Sequence, residues 1–179
     1  FASVIDNLAD LYSVTGEFEK SEQLYKQALE IRKQTVGENH TDYSQSLNNL
    51  ASFYSKEGRF ELAEQLFLET KTKTAAIVGE KHPFYVIAVN NLAAHYHSRG
   101  QYAKAEPLYQ QAKELRKEIL GTSHPSYALS LNNLAVLYFD IGQYDKAEPL
   151  YIQAIDTWKK AYGTAHPDYA MALNNLAAV

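Results

Sequence analysis

Residues 131–154, LNNLAVLYFDIGQYDKAEPLYIQA, decide the fold. The stretch carries Leu134-Ala135, Tyr138, Gly142, Tyr144, Ala147, Tyr151 and Ala154, and 42 residues earlier stand Leu92-Ala93, Tyr96, Gly100, Tyr102, Ala105, Tyr109 and Ala112. Working outward, the same interval governs the whole chain. Asn7, Asn49, Asn91, Asn133 and Asn175 are each 42 residues apart, and so are two series of four glycines that use up all 8 in the chain. A fixed period of this length marks an array of units that bury their apolar faces against one another.

Each unit reads as two helices. In the fourth, the first helix runs from about Pro125, which suits the first helical turn, to just before Gly142. The second runs from about Tyr144 to Tyr162 and stops at Gly163, with Pro149 near its start. Glycine ends helices because it alone adopts a positive φ without steric cost. His40, His82, His124 and His166 recur in the connector before successive first helices, where capping the next helix start is their expected role. No segment sustains strand alternation, so the chain is all-α.

The bulk numbers narrow the function. Of the 179 residues, 46% are apolar, which suits a folded chain. A net charge of −4 lacks the clustered Lys and Arg of a nucleic-acid footprint. No apolar run approaches the ~20 residues of a membrane span. No signal segment is visible, and the absence of cysteine removes disulfides and thiolate metal sites. The expectation is a cytoplasmic protein with no membrane insertion.

The leucine-alanine, tyrosine and glycine pattern resembles the tetratricopeptide repeat, with small residues where two helices cross and aromatics beside them. Ser21 and Thr70 stand where other units have alanine. The 42-residue length, the G-x-x-H-P-x-[YF] connector and the NNLA and AEPLY motifs are similar to the kinesin light chain-like subtype. That resemblance implies a right-handed α-solenoid of antiparallel hairpins, with first helices lining a concave groove. The expected units are residues 1–42, 43–84, 85–126, 127–168 and a truncated 169–179. Because Phe1 aligns with Tyr43, the chain starts inside a first helix and is expected to be part of a longer array.

On a helical wheel of the fourth unit, Leu134, Ala135 and Tyr138 form the stripe to be buried. Leu129, Asn132, Asn133, Val136, Phe139 and Asp140 fall opposite. The asparagine pairs should therefore ladder along the groove, and a primary amide, with two donors and an acceptor, suits the backbone of an extended peptide. The expected groove residues are Asn7, Asn48, Asn49, Lys56, Ile87, Asn90, Asn91, His97, Leu129, Asn132, Asn133, Val136, Phe139, Met171, Asn174 and Asn175. Apolar residues gather toward the third to fifth units, so the expected partner is a protein or peptide segment with apolar side chains. Lys56 and His97 are the basic candidates, too few for the acidic peptides that some relatives hold.

No catalytic motif, cofactor motif or metal site is expected. Every glycine is committed to a turn, so no phosphate loop can form. The connector histidines are kept apart by stacking, and His95 and His97 diverge on one helix. The sequence leaves two alternatives to peptide binding: a scaffold that self-associates through its terminal repeats or spaces domains, and a sensor array that regulates an effector domain.

Overall fold

Gly142 shows how the hairpins are made. Its φ is +75°, the left-handed region in which a side chain is strained. That conformation lets Gly142 N–H donate to Phe139 O at 2.9 Å and Gln143 N–H donate to Tyr138 O at 2.8 Å, satisfying carbonyls that the helix end would leave bare. The chain then reverses into the next helix. At the other end of each hairpin, histidine caps. The Nδ1 atoms of His40, His82, His124 and His166 accept from the backbone N–H two residues on, at 3.1, 3.2, 3.1 and 3.2 Å. This is the capping role expected of the connector histidines, with imidazole doing the work usually given to Ser or Asp.

The structure, a computed structural model, describes residues 2–179. Phe1, from which the first unit is counted, lies outside the described residues. Among them the elements are α1 (Ala2–Val14), α2 (Phe18–Thr35), α3 (Thr41–Lys56), α4 (Phe60–Val78), α5 (Pro83–Ser98), α6 (Tyr102–Leu120), α7 (Pro125–Asp140), α8 (Tyr144–Tyr162) and α9 (Pro167–Ala177), with no strand. Pro107 and Pro149 sit near the starts of α6 and α8 without ending them.

The chain forms two compact units. In the first, residues 1–95, α1 packs on α2, α2 on α3 and α3 on α4. Ala9, Ala28, Ala51 and Ala63 are fully buried where helices cross, and Tyr25 and Phe53 fill the space beside them with ring centroids 5.5 Å apart. Ser21 and Thr70 replace alanine without leaving a bare hydroxyl. Ser21 Oγ donates to Ala9 O at 2.8 Å, and Thr70 Oγ1 to Leu66 O at 2.7 Å. In the second unit, residues 96–179, α6 packs on α7, α7 on α8 and α8 on α9. Trp158, the chain's single tryptophan, is buried against Tyr127, Ala128, Leu131, Ala154 and Ala172. Burial of this kind, rather than helix propensity, holds such short helices together.

Candidate functional site: the asparagine rungs and the first-helix face

The asparagines reach for one another. In the first unit Asn91 Nδ2 donates to Asn48 Oδ1 at 2.9 Å, and in the second Asn175 Nδ2 donates to Asn132 Oδ1 at 3.2 Å. Each rung thus joins the second asparagine of one pair to the first of the pair before it. Asn48 and Asn132 are 7% and 5% exposed. This corrects the expectation that both members of a pair line an open face. The wheel places neighbouring residues on one side, but the first asparagine enters the crevice between successive first helices. A buried amide needs a partner there, and the next asparagine supplies it.

The second asparagines differ. Asn49, Asn91, Asn133 and Asn175 are half-buried, and the Asn49 Oδ1 accepts from Gln45 Nε2 at 2.8 Å. Asn7 and Asn174 are exposed and Asn90 is half-buried. The sequence reading missed why the first pair reads Asp6-Asn7. Asp6 stands 42 residues before Asn48 and is the same rung position carrying a charge. It is buried with Arg32, whose Nη1 lies 2.5 Å from Asp6 Oδ2. Arg32 also donates to the Ser46 hydroxyl and, at 3.4 Å, to Ser3 Oγ. Burial pushes the Asp6 carboxyl above its ordinary value, against the opposing pull of Arg32 and the Asn49 amide. In the second unit Arg116 Nη1 donates to Ser130 Oγ at 2.6 Å, and burial draws its guanidinium below the ordinary value. Arg32 and Arg116 lie 84 residues apart, as do Ser46 and Ser130; that shared offset was the signal in the sequence.

The apolar candidates remain accessible. Ile87, Leu129 and Met171, one repeat position 42 residues apart, are 40%, 37% and 39% exposed on the first helices α5, α7 and α9. Val136 and Phe139 are half-buried, and the Phe139 ring meets Tyr144 edge-on at 5.5 Å. Of the basic candidates, Lys56 is exposed in the last turn of α3. His97 is already engaged: its Nε2 lies 2.8 Å from Asp140 Oδ2, and its ring sits edge-on to Tyr102 and Tyr109. Elsewhere, tyrosines at the ends of first helices tie back to the preceding second helix. Tyr54 donates to Glu22 Oε1 and Tyr138 to Glu106 Oε1, both at 2.8 Å.

Glycine-turned hairpins, packed first helix on second and joined by polar rungs at a fixed period, define a helical-repeat protein. A family model described as tetratricopeptide repeat matches residues 1–71, 85–156 and 130–179, and the chain belongs to the tetratricopeptide repeat family. These repeats are a non-catalytic fold that mediates protein–protein interaction. Among solved structures, BtubC (BKLC) from P. vanneervenii is similar at a TM-score of 0.85 and 28% identity, over 97% of this chain and 69% of that one. A kinesin light chain-like protein of nearly identical TPR-like repeats from Podosopora anserina is similar at a TM-score of 0.80 and 26% identity, over 98% of this chain and 83% of that one. Aspartyl phosphate phosphatase F from Bacillus subtilis shares the fold at a TM-score of 0.74 and 21% identity, over 89% of this chain and 40% of that one. No curated protein matches the chain. No described helix is long and apolar enough to cross a membrane.

Proposed function

We propose that this chain is an interaction module that holds an extended segment of a protein partner against the faces of its first helices. The observation that carries the reading is the exposed apolar series Ile87, Leu129 and Met171, placed one turn from asparagines that keep hydrogen-bonding capacity. Asn91 and Asn175 each spend one N–H on the neighbouring rung. A primary amide has a second N–H and carbonyl lone pairs to offer, which suits the repeating C=O and N–H groups of a peptide. The ladder in this reading is that of the second asparagines, Asn49, Asn91, Asn133 and Asn175. The apolar contacts are Ile87 in the first unit and Leu129, Val136, Phe139 and Met171 in the second.

Magnitudes assign the division of labour. A net hydrogen bond contributes about 0.5–1.5 kcal/mol, while association costs several. Covering the exposed part of an Ile, Leu or Met that is about 40% accessible adds roughly 1 kcal/mol each. The amides fix the direction and register of the segment, and apolar side chains hold it. Lys56 alone leaves little basis for an acidic partner, because His97 is paired with Asp140.

The test is selection from a random peptide library, followed by affinity measurements on Leu129→Ser and Met171→Ser variants. The expected result is peptides enriched in apolar residues whose affinity falls at least about five-fold in each variant, with helicity unchanged. Equal binding by both variants would remove this face from the function.

A further inference from the structure

Arg32, Thr74, Arg116 and Trp158 follow one another at intervals of 42 residues on the second helices. All four are buried, but Thr74 is short. Beside it lies a cavity of about 20 Å³, counted as the space open to water centres, bounded by α3, α4 and α5. That is room for about one water by the same measure, and Phe84 and Ile87, both about half-exposed, stand at its rim.

Position for position, this is the berth of a guanidinium. Arg32 bonds to Asp6, Ser46 and Ser3. The residues 42 places further on are Asn48, Ala88 and Gln45, and all three line the cavity. Its walls also hold Ser44, which is 3% exposed and whose hydroxyl has no hydrogen-bond partner. A buried hydroxyl left bare is costly and uncommon. The equivalent positions are Val86, Ala128 and Ala170, so the other repeats put no polar atom there. Thr74 Oγ1 donates to Thr70 O at 2.7 Å, which leaves its lone pairs available to accept. Asn48 Oδ1 likewise accepts one bond, from Asn91, and has a second lone pair.

We propose that this cavity is a pocket for the guanidinium of an arginine side chain supplied by the partner, completing in trans the position that Arg32 and Arg116 fill within the chain. The lining presents oxygen acceptors, and a guanidinium offers five donors in a planar fork. Arg116 on Ser130 Oγ shows a hydroxyl serving as the acceptor at this repeat position. An indole is the competing occupant, because the fourth repeat uses Trp158. Its neighbours there are Ala128, Leu131 and Ala172, whereas the second repeat puts the bare Ser44 hydroxyl in place of Ala128. The half-exposed Phe84 ring at the rim adds a surface on which a guanidinium stacks. The inference deepens the peptide-binding reading, and rests on it only for the arginine's belonging to a peptide.

The experiment is a nuclear magnetic resonance titration of the isotope-labelled chain with argininamide, lysinamide and tryptophanamide. Argininamide should shift the signals of Ser44, Asn48, Thr74 and Phe84 with millimolar affinity, at least about five-fold tighter than the other two. Thr74→Arg fills the pocket from within and should abolish those shifts. Ser44→Ala, which installs the residue two other repeats carry, should weaken binding about five-fold and keeps the test valid if Thr74→Arg misfolds. Absence of localised shifts, equal response to all three amides, or unchanged binding in Ser44→Ala would overturn the proposal. Argininamide binding without peptide binding at the first-helix faces leaves the pocket standing and removes the wider reading; peptide binding without an argininamide response does the reverse.

Discussion

Asn91→Ala isolates what a rung contributes. The Asn91 amide donates at 2.9 Å to Asn48 Oδ1, and Asn48 is 7% exposed. Deleting the donor leaves a buried carbonyl oxygen that water reaches poorly, a loss of about 1–3 kcal/mol. Asn48→Ala removes the acceptor and should cost a similar amount. The double variant strands nothing, so the two losses should not add: the coupling should lie between about 0.5 and 2 kcal/mol. Asn7→Ala is the control, because Asn7 is exposed and its loss should stay within about 0.5 kcal/mol. The assay is urea unfolding followed by circular dichroism, fitted repeat by repeat with nearest-neighbour terms, since arrays of this kind depart from two-state behaviour. If Asn91→Ala costs no more than Asn7→Ala and the cycle shows no coupling, the rung is not a structural tie and the reasoning fails.

Trp158→Ala should destabilise the second unit by about 3–5 kcal/mol, because the ring is 1% exposed in the cluster with Tyr127, Leu131 and Ala172; urea unfolding read by circular dichroism measures the loss. Gly142→Ala should cost about 1–2 kcal/mol, a purely backbone effect, since a Cβ there meets nothing within 4 Å while φ is +75°. Its melting temperature should fall by about 2–4 °C per kcal/mol. Glu22 gives a pH test. Burial alone would raise its carboxyl, but Lys26, Tyr54 and Arg59 hold it below the ordinary value. A depressed folded value means stability that is present above the ordinary glutamate range and lost as pH falls through the folded one. The melting-temperature gap between the wild type and Glu22→Gln should therefore shrink from pH 7 toward pH 3.

The fold was legible because its punctuation is local. Gly142 and Gly163 stop α7 and α8 where the sequence places the stops, and His124 with Pro125 starts α7. These signals act within a few residues of themselves, so repetition alone exposes them. The face of the asparagines was half legible. Asn133 and Asn132 differ by one step of the wheel, yet the second stays half-accessible while the first is enclosed. The packing of successive first helices decides that, and single-helix periodicity does not contain it. His97 was read as a basic group for a ligand, but Asp140, 43 residues away, occupies it. The Asp6–Arg32 pair went unread because two different repeats supply its members, although Asp6 sits in register with Asn48.

The account turns on where a partner lies. The direct measurement is an isotope-filtered nuclear Overhauser experiment on the chain bound to a selected peptide. The account predicts contacts from peptide protons to the methyl groups of Ile87, Leu129 and Met171 and to the side-chain amide protons of Asn91 and Asn133. Contacts confined to the second helices α4, α6 and α8, with those methyl and amide signals unmoved, would contradict it.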